Sequence, residues 1–227
     1  MNQSNEFEKK HVINIYEKIC SHFDQTRYHC WPLVKEYIST LDSDCYLADV
    51  GCGNGRNCLQ RKDINYMGFE VVDQFIEICK NKNIPVKKSN ILDIQSPDSC
   101  YDHTMCIAVL HHLSSQERRL QGINELLRIT KKGGTILIYV WAKEQKKYNK
   151  QENNDVMIKW SLFGRYDASQ RNQHKRSEQE ISNVYYRYYH LFSKGELEKL
   201  VMQSKYTLKI IERGIQKDNH YVIIQKL

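Results

Sequence analysis

No long hydrophobic run is present in this sequence. The longest apolar stretch, Ile136 to Ala142, has seven residues, whereas a membrane-spanning helix needs about 20. The first residues also lack a basic region that leads into an apolar stretch. We therefore expect neither a membrane-spanning helix nor a secretory signal.

Closely spaced cysteine pairs are also missing. The eight cysteines, at positions 20, 30, 45, 52, 58, 79, 100 and 106, include no Cys-x-x-Cys pair. Because structural zinc sites usually contain such pairs, no metal site is expected. Without a secretory signal a reducing compartment is the default, so we expect free thiols and a cytoplasmic or nuclear location.

The composition is that of a globular domain, and the net charge is positive. Its 227 residues are 41% hydrophobic and 27% charged, and they carry a net charge of +7. Length and composition predict a single domain over residues 1–227. Residues 146–187 contain nine Lys or Arg against five Asp or Glu. Residues 146–182, which are also rich in Asn, Gln and Ser, predict a basic polar insertion that either meets a polyanionic partner or is a solvated loop.

Apolar strands alternate with amphipathic helices elsewhere in the chain. Such alternation is typical of a parallel sheet covered on both faces. Strands are predicted over residues 46–50, 66–70, 86–89, 104–109 and 135–141, with two antiparallel closing strands over 208–213 and 220–225. Helices are predicted over about 11–23, 33–41, 56–61, 73–80 and 115–130, and from Ser193, with Glu196 as its capping-box partner. The expected fold class is α/β, a mostly parallel Rossmann-like sheet with an antiparallel closing strand and helices on both faces.

A glycine-rich turn is the most informative motif. It follows the first predicted strand and reads Asp49-Val50-Gly51-Cys52-Gly53-Asn54-Gly55, and Glu70 ends the next strand. Glycines there let the backbone approach a ligand, and a carboxylate at that strand end accepts hydrogen bonds from ribose hydroxyls. The spacing differs from the dinucleotide pattern Gly-x-Gly-x-x-Gly. It resembles the first motif of class I methyltransferases, which use S-adenosylmethionine.

The resemblance to class I methyltransferases implies a set of cofactor contacts. After the third strand, Asn90 takes the place of an acid that meets the adenine amino group, with Asp93 as the alternative if the register differs. The residues expected to bind the cofactor are Asp49, Gly51, Gly53, Asn54, Gly55, Glu70, Asn90, Ile91 and Ala108.

Several further stretches resemble one family, the eukaryotic tRNA wobble-uridine methyltransferases that esterify 5-carboxymethyluridine at position 34. The similar stretches are residues 23–32, 49–56, 108–114, 138–145, 187–197 and 218–222. This resemblance implies a class I methyltransferase fold with an N-terminal helical lid over residues 11–42. It also implies tRNA as substrate and a small zinc-binding activator protein that adds a strand to the sheet.

The implied chemistry is attack by a carboxylate on the methyl group of a sulfonium. Because a carboxylate with a pKa near ~4 is ionised at pH 7, no general base is required. The enzyme must instead orient the acid and exclude water. The rival hypotheses are a methyltransferase for a free small carboxylic acid and a non-catalytic tRNA-binding protein that keeps the fold.

Residues for substrate and chemistry follow from the resemblance. Those expected to be catalytic are His111, Arg187, Tyr188 and Arg27, and those expected to bind substrate are Tyr28, Trp31, His190, Asn219, Lys146 and Lys147. Of the pair His111 and His112, one is expected to face the site while the other packs inward. The alternatives are core packing for the aromatic residues and a turn role for Asn219.

Overall fold

The computed structural model describes residues 2–163 and 181–227. Its core is a seven-stranded sheet in the order β3-β2-β1-β4-β5-β9-β8. The strands of this sheet are β1 (Tyr46–Val50), β2 (Asn65–Glu70), β3 (Val86–Lys88), β4 (Tyr101–Ile107), β5 (Thr130–Trp141), β8 (Leu208–Gln216) and β9 (Asn219–Lys226). The first five strands are parallel, whereas β9 runs antiparallel to both β5 and β8. The predicted fold class is confirmed.

Helices and a second, smaller sheet surround this core. The helices are α1 (Asn2–Glu8), α2 (Asn14–Thr26), α3 (Pro32–Ser39), α4 (Asp73–Asn81), α5 (Gln116–Ile129) and α6 (Glu196–Val201). A π-helical segment, Lys9–Ile13, joins α1 to α2, so helical structure begins earlier than predicted. As predicted, Ser115 caps α5, because its side chain accepts the backbone N–H of Arg118. Helix α6 begins at Glu196, and the Glu196 carboxylate accepts the N–H of Ser193 at 2.9 Å.

Burial in the central strands explains their sequences. Leu47, Ala48, Met105 and Leu137 are fully buried in the middle of the sheet. Polar side chains are rare within these strands because both faces of the sheet are covered. Each strand therefore appears in the sequence as a nearly continuous apolar run. The apolar runs are therefore a sufficient signal for predicting the central strands.

Two local predictions are wrong. Residues 56–61 were expected to form a helix, but only the 3₁₀ turn Cys58–Gln60 forms. The Asn57 amide there donates to the Asp49 carboxylate instead of continuing a helix. The strand predicted over residues 135–141 begins earlier, because β5 starts at Thr130 and includes Gly133 and Gly134, with a register shift in its pairing with β4.

A two-stranded ribbon occupies part of the predicted insertion. Strands β6 (Asp155–Phe163) and β7 (Ile181–His190) pair antiparallel, from Asp155 opposite His190 outward. The polar composition of residues 146–182 did not predict β6. The basic residues Arg165, Arg171, Lys175 and Arg176, which supply part of the local charge excess, lie outside the described residues.

The N-terminal helices are tied to the sheet by polar contacts. Glu8 of α1 forms an ion pair with Arg118 of α5, and both side chains are about one-tenth exposed. At the other end of this helical region, the Asn54 amide of the glycine turn donates to Asp24 at 2.8 Å and to the Arg27 carbonyl at 3.0 Å. These contacts place the N-terminal helices beside the glycine turn.

The described residues contain neither a candidate membrane-spanning helix nor a candidate metal site. No helix within residues 2–163 and 181–227 is long and apolar enough to cross a membrane. In the same ranges, no group of His, Cys, Asp or Glu is arranged to hold a metal ion. All eight cysteines are free thiols.

Candidate active site

The main cavity lies at the carboxyl ends of the parallel strands, where ligands bind in open α/β sheets. Its volume is about 480 Å³, which suits a small-molecule site. The walls combine residues that follow the strands with residues from α2, the ribbon and the segment after β5. Predicted site residues that line it are Arg27, Trp31, Gly51, Gly53, Asn54, Glu70, Asn90, Ile91, Ala108, Lys147 and Arg187.

The glycine turn presents bare backbone to this cavity. Gly53 has a φ of +55°, and a Cβ built on it would meet no protein atom within 4 Å. Gly51 has a φ of +75°, but its Cβ would lie 2.2 Å from Val109 Cγ2. The two glycines therefore serve different needs, because Gly51 allows close packing below the turn while Gly53 leaves space for a ligand.

Glu70 supplies a buried carboxylate beside the glycine turn. Its Oε2 accepts the Gly53 N–H at 2.9 Å, and its Oε1 accepts the N–H groups of Val71 and Val72. Burial raises the pKa of Glu70, although these three N–H donors oppose that shift. A carboxylate accepts about four hydrogen bonds, so it retains capacity for a ligand hydroxyl.

These features fit the S-adenosylmethionine that the motif implies. Open space over Gly53 admits a ligand close to the backbone, and Glu70 can accept ribose hydroxyls. The ammonium and sulfonium groups of this cofactor carry positive charge, which a nearby carboxylate favours. The residues that would hold it are therefore Gly53, Glu70, Asn90 and Ala108, all of which line the cavity.

Asn90, and not the alternative Asp93, lines the cavity. The Asn90 Oδ1 accepts the Leu92 N–H at 3.0 Å, which fixes the orientation of the amide. Ala108, directly after β4, has a φ of +61°. Such left-handed backbone is uncommon for residues other than glycine, and strained positions of this kind cluster at functional sites.

Two predicted cofactor residues lie behind the turn and not in the cavity wall. Asp49 is fully buried, and its Oδ2 accepts the Tyr66 hydroxyl at 2.8 Å and the Asn57 amide at 3.1 Å. Burial raises the pKa of Asp49 to about 6. A Cβ on Gly55 would lie 2.6 Å from Ile84 Cδ1, so this glycine serves packing. Both residues shape the turn from below.

Arg187 is the most unusual charged group in the cavity. Its side chain belongs to β7 and is only 4% exposed. Aromatic rings surround the guanidinium, with its carbon 4.6 Å from the Trp160 ring centroid and 5.2 Å from those of Tyr16 and Tyr189. Its Nη1 donates to the Tyr16 hydroxyl at 2.9 Å. Among the described residues, Arg187 has no ion-pair partner, and its buried Nε has no acceptor.

The histidine pair behaves as expected in outline, but the roles are reversed. His112, and not His111, lines the cavity. His111 is fully buried and stacks on Tyr189 with the ring centroids 4.5 Å apart. The His111 Nδ1 accepts the Trp141 N–H at 3.2 Å. Chain geometry after β4 therefore turns His111 inward, away from the position expected of a catalytic residue, and places His112 at the cavity.

Five other predicted residues lie away from the cavity. Tyr188 points to the opposite face of the ribbon, where its hydroxyl donates to Asp155 at 2.6 Å. His190 lies between two carboxylates, with Nδ1 2.8 Å from Asp155 and Nε2 2.6 Å from Glu196. Alternation along β7 explains both positions, because Arg187 and Tyr189 take the inner face.

Tyr28, Asn219 and Lys146 also lie outside the cavity wall. Tyr28 is 64% exposed, and its ring contacts that of His29 at a tilted angle. The Asn219 amide donates to the Lys217 carbonyl at 2.6 Å within the β8–β9 hairpin, as the turn interpretation expected. Lys146 is exposed beside Lys147, which does line the cavity.

Several cavity residues were not predicted from the sequence. They are Tyr16, Phe23, Arg56, Phe75, Trp141, Trp160 and Tyr189. Tyr16 is part of an amphipathic helical pattern, so it reads as a core residue. Trp160 is the one tryptophan in the basic polar stretch, and its presence in a hydrophilic segment was the only available signal.

Comparison with known proteins identifies close relatives of the chain. Residues 48–138 match the family described as methyltransferase domain. A Schizosaccharomyces pombe protein named tRNA (carboxymethyluridine(34)-5-O)-methyltransferase is 35% identical over 97% of this chain and 98% of its own. Proteins of the same name from Saccharomyces cerevisiae and Arabidopsis thaliana are 34% and 36% identical over 71% and 69% of this chain. The matched regions span 60% and 37% of those two relatives.

Solved structures support the fold. A S-adenosylmethionine-dependent methyltransferase from Clostridium acetobutylicum matches 93% of this chain with a TM-score of 0.65 and 12% identity. A chain in the complex between the Haloferax volcanii Trm112 methyltransferase activator and a methyltransferase matches 95% of this chain, with a TM-score of 0.64 and 10% identity. At these identities the likeness concerns the fold alone.

The open space over Gly53 makes a direct prediction about cofactor binding. Gly53→Val should abolish S-adenosylmethionine binding in a calorimetric titration, because its side chain would occupy the ligand space. The left-handed backbone should also cost about 1–2 kcal/mol of stability.

Gly133→Val is the matched control for Gly53→Val. Gly133 has a φ of +82° and equally open surroundings, but it lies at the far end of β5. It should lose similar stability and keep cofactor affinity. Unchanged binding by Gly53→Val would contradict the proposed position of the cofactor.

Proposed function

We propose that this chain, which belongs to the tRNA (carboxymethyluridine(34)-5-O)-methyltransferase family, methylates the carboxylate of 5-carboxymethyluridine at position 34 of tRNA. The Schizosaccharomyces pombe protein of this name matches the chain over almost the whole length of both proteins. S-adenosylmethionine, when bound, supplies an electrophilic methyl group on a sulfonium. The product is a methyl ester.

The observation that carries this proposal is the buried guanidinium of Arg187. A buried cation without an anionic partner is costly, and Arg187 has no ion pair with any described carboxylate although it lines the cavity. A substrate carboxylate would complete the pair. The planar fork of arginine suits a carboxylate, and charge-assisted hydrogen bonds would fix its orientation.

Neither histidine of the pair is suited to act as a general base. Burial lowers the pKa of His112 to about 3. Burial also lowers the pKa of His111 well below its usual range, and the ring does not line the cavity. A carboxylate nucleophile needs no base because it is already ionised at pH 7. The site therefore matches methyl transfer to an acid better than transfer to a hydroxyl or amine.

Apolar rings remove water from the reacting carboxylate. Phe23, Phe75 and Trp160 line the cavity, and the rings of Phe23 and Trp160 stack at 5.8 Å between centroids. Excluding water strengthens the electrostatic contact with Arg187 and frees the nucleophile from its hydration shell. Catalysis then rests on orientation and desolvation.

The proposed function is tested with tRNA that carries 5-carboxymethyluridine. The protein, with its activator, should convert the acid to its methyl ester, as measured by mass spectrometry of the digested nucleosides. Arg187→Ala should lower the single-turnover rate by about 100-fold or more, because the carboxylate loses its orientation. Binding of this tRNA should weaken only by about the 10-fold that one charge-assisted contact supplies, since phosphate contacts provide most of the affinity.

Two results would contradict this proposal. One is the absence of methyl ester in the wild-type reaction. The other is wild-type turnover by Arg187→Ala, which would remove the guanidinium from the substrate site. Methylation of small free carboxylic acids at a comparable rate would favour the rival activity.

We place the tRNA backbone near the exposed lysines that follow β5. Lys146, Lys147 and Lys150 are exposed, and Lys147 also lines the cavity. Each phosphate that they neutralise should release about 0.7–0.9 of a counterion. Replacing all three with Gln should weaken tRNA binding and flatten its dependence on salt, without a change in cofactor affinity.

Three exposed lysines at the opposite end of the sheet provide the control for this triple variant. Lys199, Lys205 and Lys209 lie on α6, after it and at the start of β8. Replacing them with Gln changes the net charge equally and should leave the salt slope unaltered. An unaltered slope in the first variant would make residues 146–150 a solvated loop.

We also propose that a small zinc-binding activator pairs with the free edge of β3. The other sheet edge, β8, carries the exposed residues Ile211 and Ile215, but its register is irregular between Ile210 and Glu212. Such irregularities hinder strand addition. Strand β3 lies at the edge of the sheet and pairs with β2 without a register shift. Its outer side is therefore open to another strand.

Lys88 offers a clean test of the β3 edge. The Ser89 N–H donates to the Glu70 carbonyl, toward β2, so the N–H of Lys88 points outward by alternation. Lys88→Pro should abolish co-purification with the activator, whereas Lys88→Ala keeps the N–H and should retain it. Retention by Lys88→Pro would place the interface elsewhere, with the β8 edge as the remaining candidate.

A further inference from the structure

We propose that Tyr16 is the positioning residue that orients Arg187 toward the substrate carboxylate, and that His112 fixes the hydroxyl proton of Tyr16 for this purpose. This inference rests on the proposed function. It assigns a role to a residue of helix α2, which also contributes Phe23 to the cavity.

The direction of each hydrogen bond follows from one fixed acceptor. The His112 Nδ1 lies 2.9 Å from the backbone carbonyl of Tyr188. A carbonyl oxygen can only accept, so Nδ1 carries the proton and donates. In a neutral imidazole the other nitrogen, Nε2, is then an acceptor. Burial keeps the ring neutral, since it lowers the pKa of His112 to about 3.

The acceptor on His112 determines how Tyr16 is oriented. The Tyr16 Oη lies 3.0 Å from His112 Nε2, so the tyrosine must donate its single proton there. The oxygen of Tyr16 is left with its lone pairs, and one of them accepts the Arg187 Nη1–H at 2.9 Å. Tyr16 is therefore an obligatory acceptor for Arg187.

Aromatic contacts hold the same geometry. The Tyr16 and His112 rings meet edge to face with their centroids 5.3 Å apart. The centroids of the Tyr189 and His112 rings are 4.4 Å apart. The Tyr189 hydroxyl lies 3.3 Å from the Tyr16 hydroxyl. With one corner of the guanidinium fixed by Tyr16, rotation of the fork is restricted, so its remaining donors present a constant geometry to a substrate acid.

A kinetic test separates positioning from binding. With the activator present, and with saturating S-adenosylmethionine and tRNA carrying the acid, Tyr16→Phe should lower kcat by about 10- to 100-fold. The KM for tRNA and the Kd of the cofactor should stay within about twofold, because the hydroxyl that Tyr16→Phe removes hydrogen-bonds to His112 and Arg187 and not to the glycine turn. Tyr221→Phe removes a surface hydroxyl bonded to Glu212, and it should keep the wild-type kcat.

Conservative replacement of His112 gives a second comparison. His112→Gln can still accept the Tyr16 proton through its amide oxygen, whereas His112→Leu cannot. The Gln variant should therefore retain more of the wild-type kcat than the Leu variant. Equal activity of the two, or a wild-type kcat in Tyr16→Phe, would overturn the role of Tyr16 while leaving the proposed function intact.

A spectroscopic measurement tests the proton arrangement without turnover. In the ¹⁵N spectrum of histidine-labelled protein at pH 7, His112 should be the neutral Nδ1–H tautomer, with its signals identified by their loss in His112→Gln. Tyr16→Phe should shift the Nε2 signal toward that of an unbonded nitrogen. An Nε2–H tautomer in the wild type would overturn the inference, whereas the absence of methyl ester from the wild type would overturn the proposed function.

Discussion

The site depends on a cation that is buried before any substrate arrives. Arg187 is 4% exposed and surrounded by the rings of Tyr16, Trp160 and Tyr189. Cation–π contacts of this kind stabilise a guanidinium only partly, and among the described residues no carboxylate neutralises it. The remaining cost makes the cavity selective for an anion.

This arrangement explains why distant parts of the chain meet at the cavity. Tyr16 and Arg187 are separated by 171 positions in the sequence. The ribbon supplies Arg187 and Trp160, the N-terminal helix supplies Tyr16, and the sheet edge supplies Glu70 and the glycine turn. None of these segments forms the cavity alone. The cavity is closed only when they pack together, and the same packing places Arg187, Tyr16 and Glu70 around it.

The sequence predicts the sheet and the cofactor turn well because both depend on local patterns. The apolar strands, Gly53 and Glu70 are recognisable from spacing within about 20 residues. The substrate side of the cavity depends on contacts between remote segments. The local sequence therefore predicts Tyr16 to be a core residue and does not distinguish Trp160 from the polar residues around it. The exchange of His111 and His112 has the same origin, because backbone geometry after β4 decides which ring faces the cavity.

The central claim is that the buried guanidinium recognises the negative charge of the substrate. Its most direct test is the affinity of the protein–activator complex, saturated with S-adenosylhomocysteine, for two anticodon stem-loops. One carries 5-carboxymethyluridine and the other carries the uncharged amide of the same shape. We predict that the wild type binds the acid about 10-fold or more tightly, as expected for a charge-assisted contact, and that Arg187→Gln loses this preference. Equal affinity of the wild type for acid and amide would contradict the account.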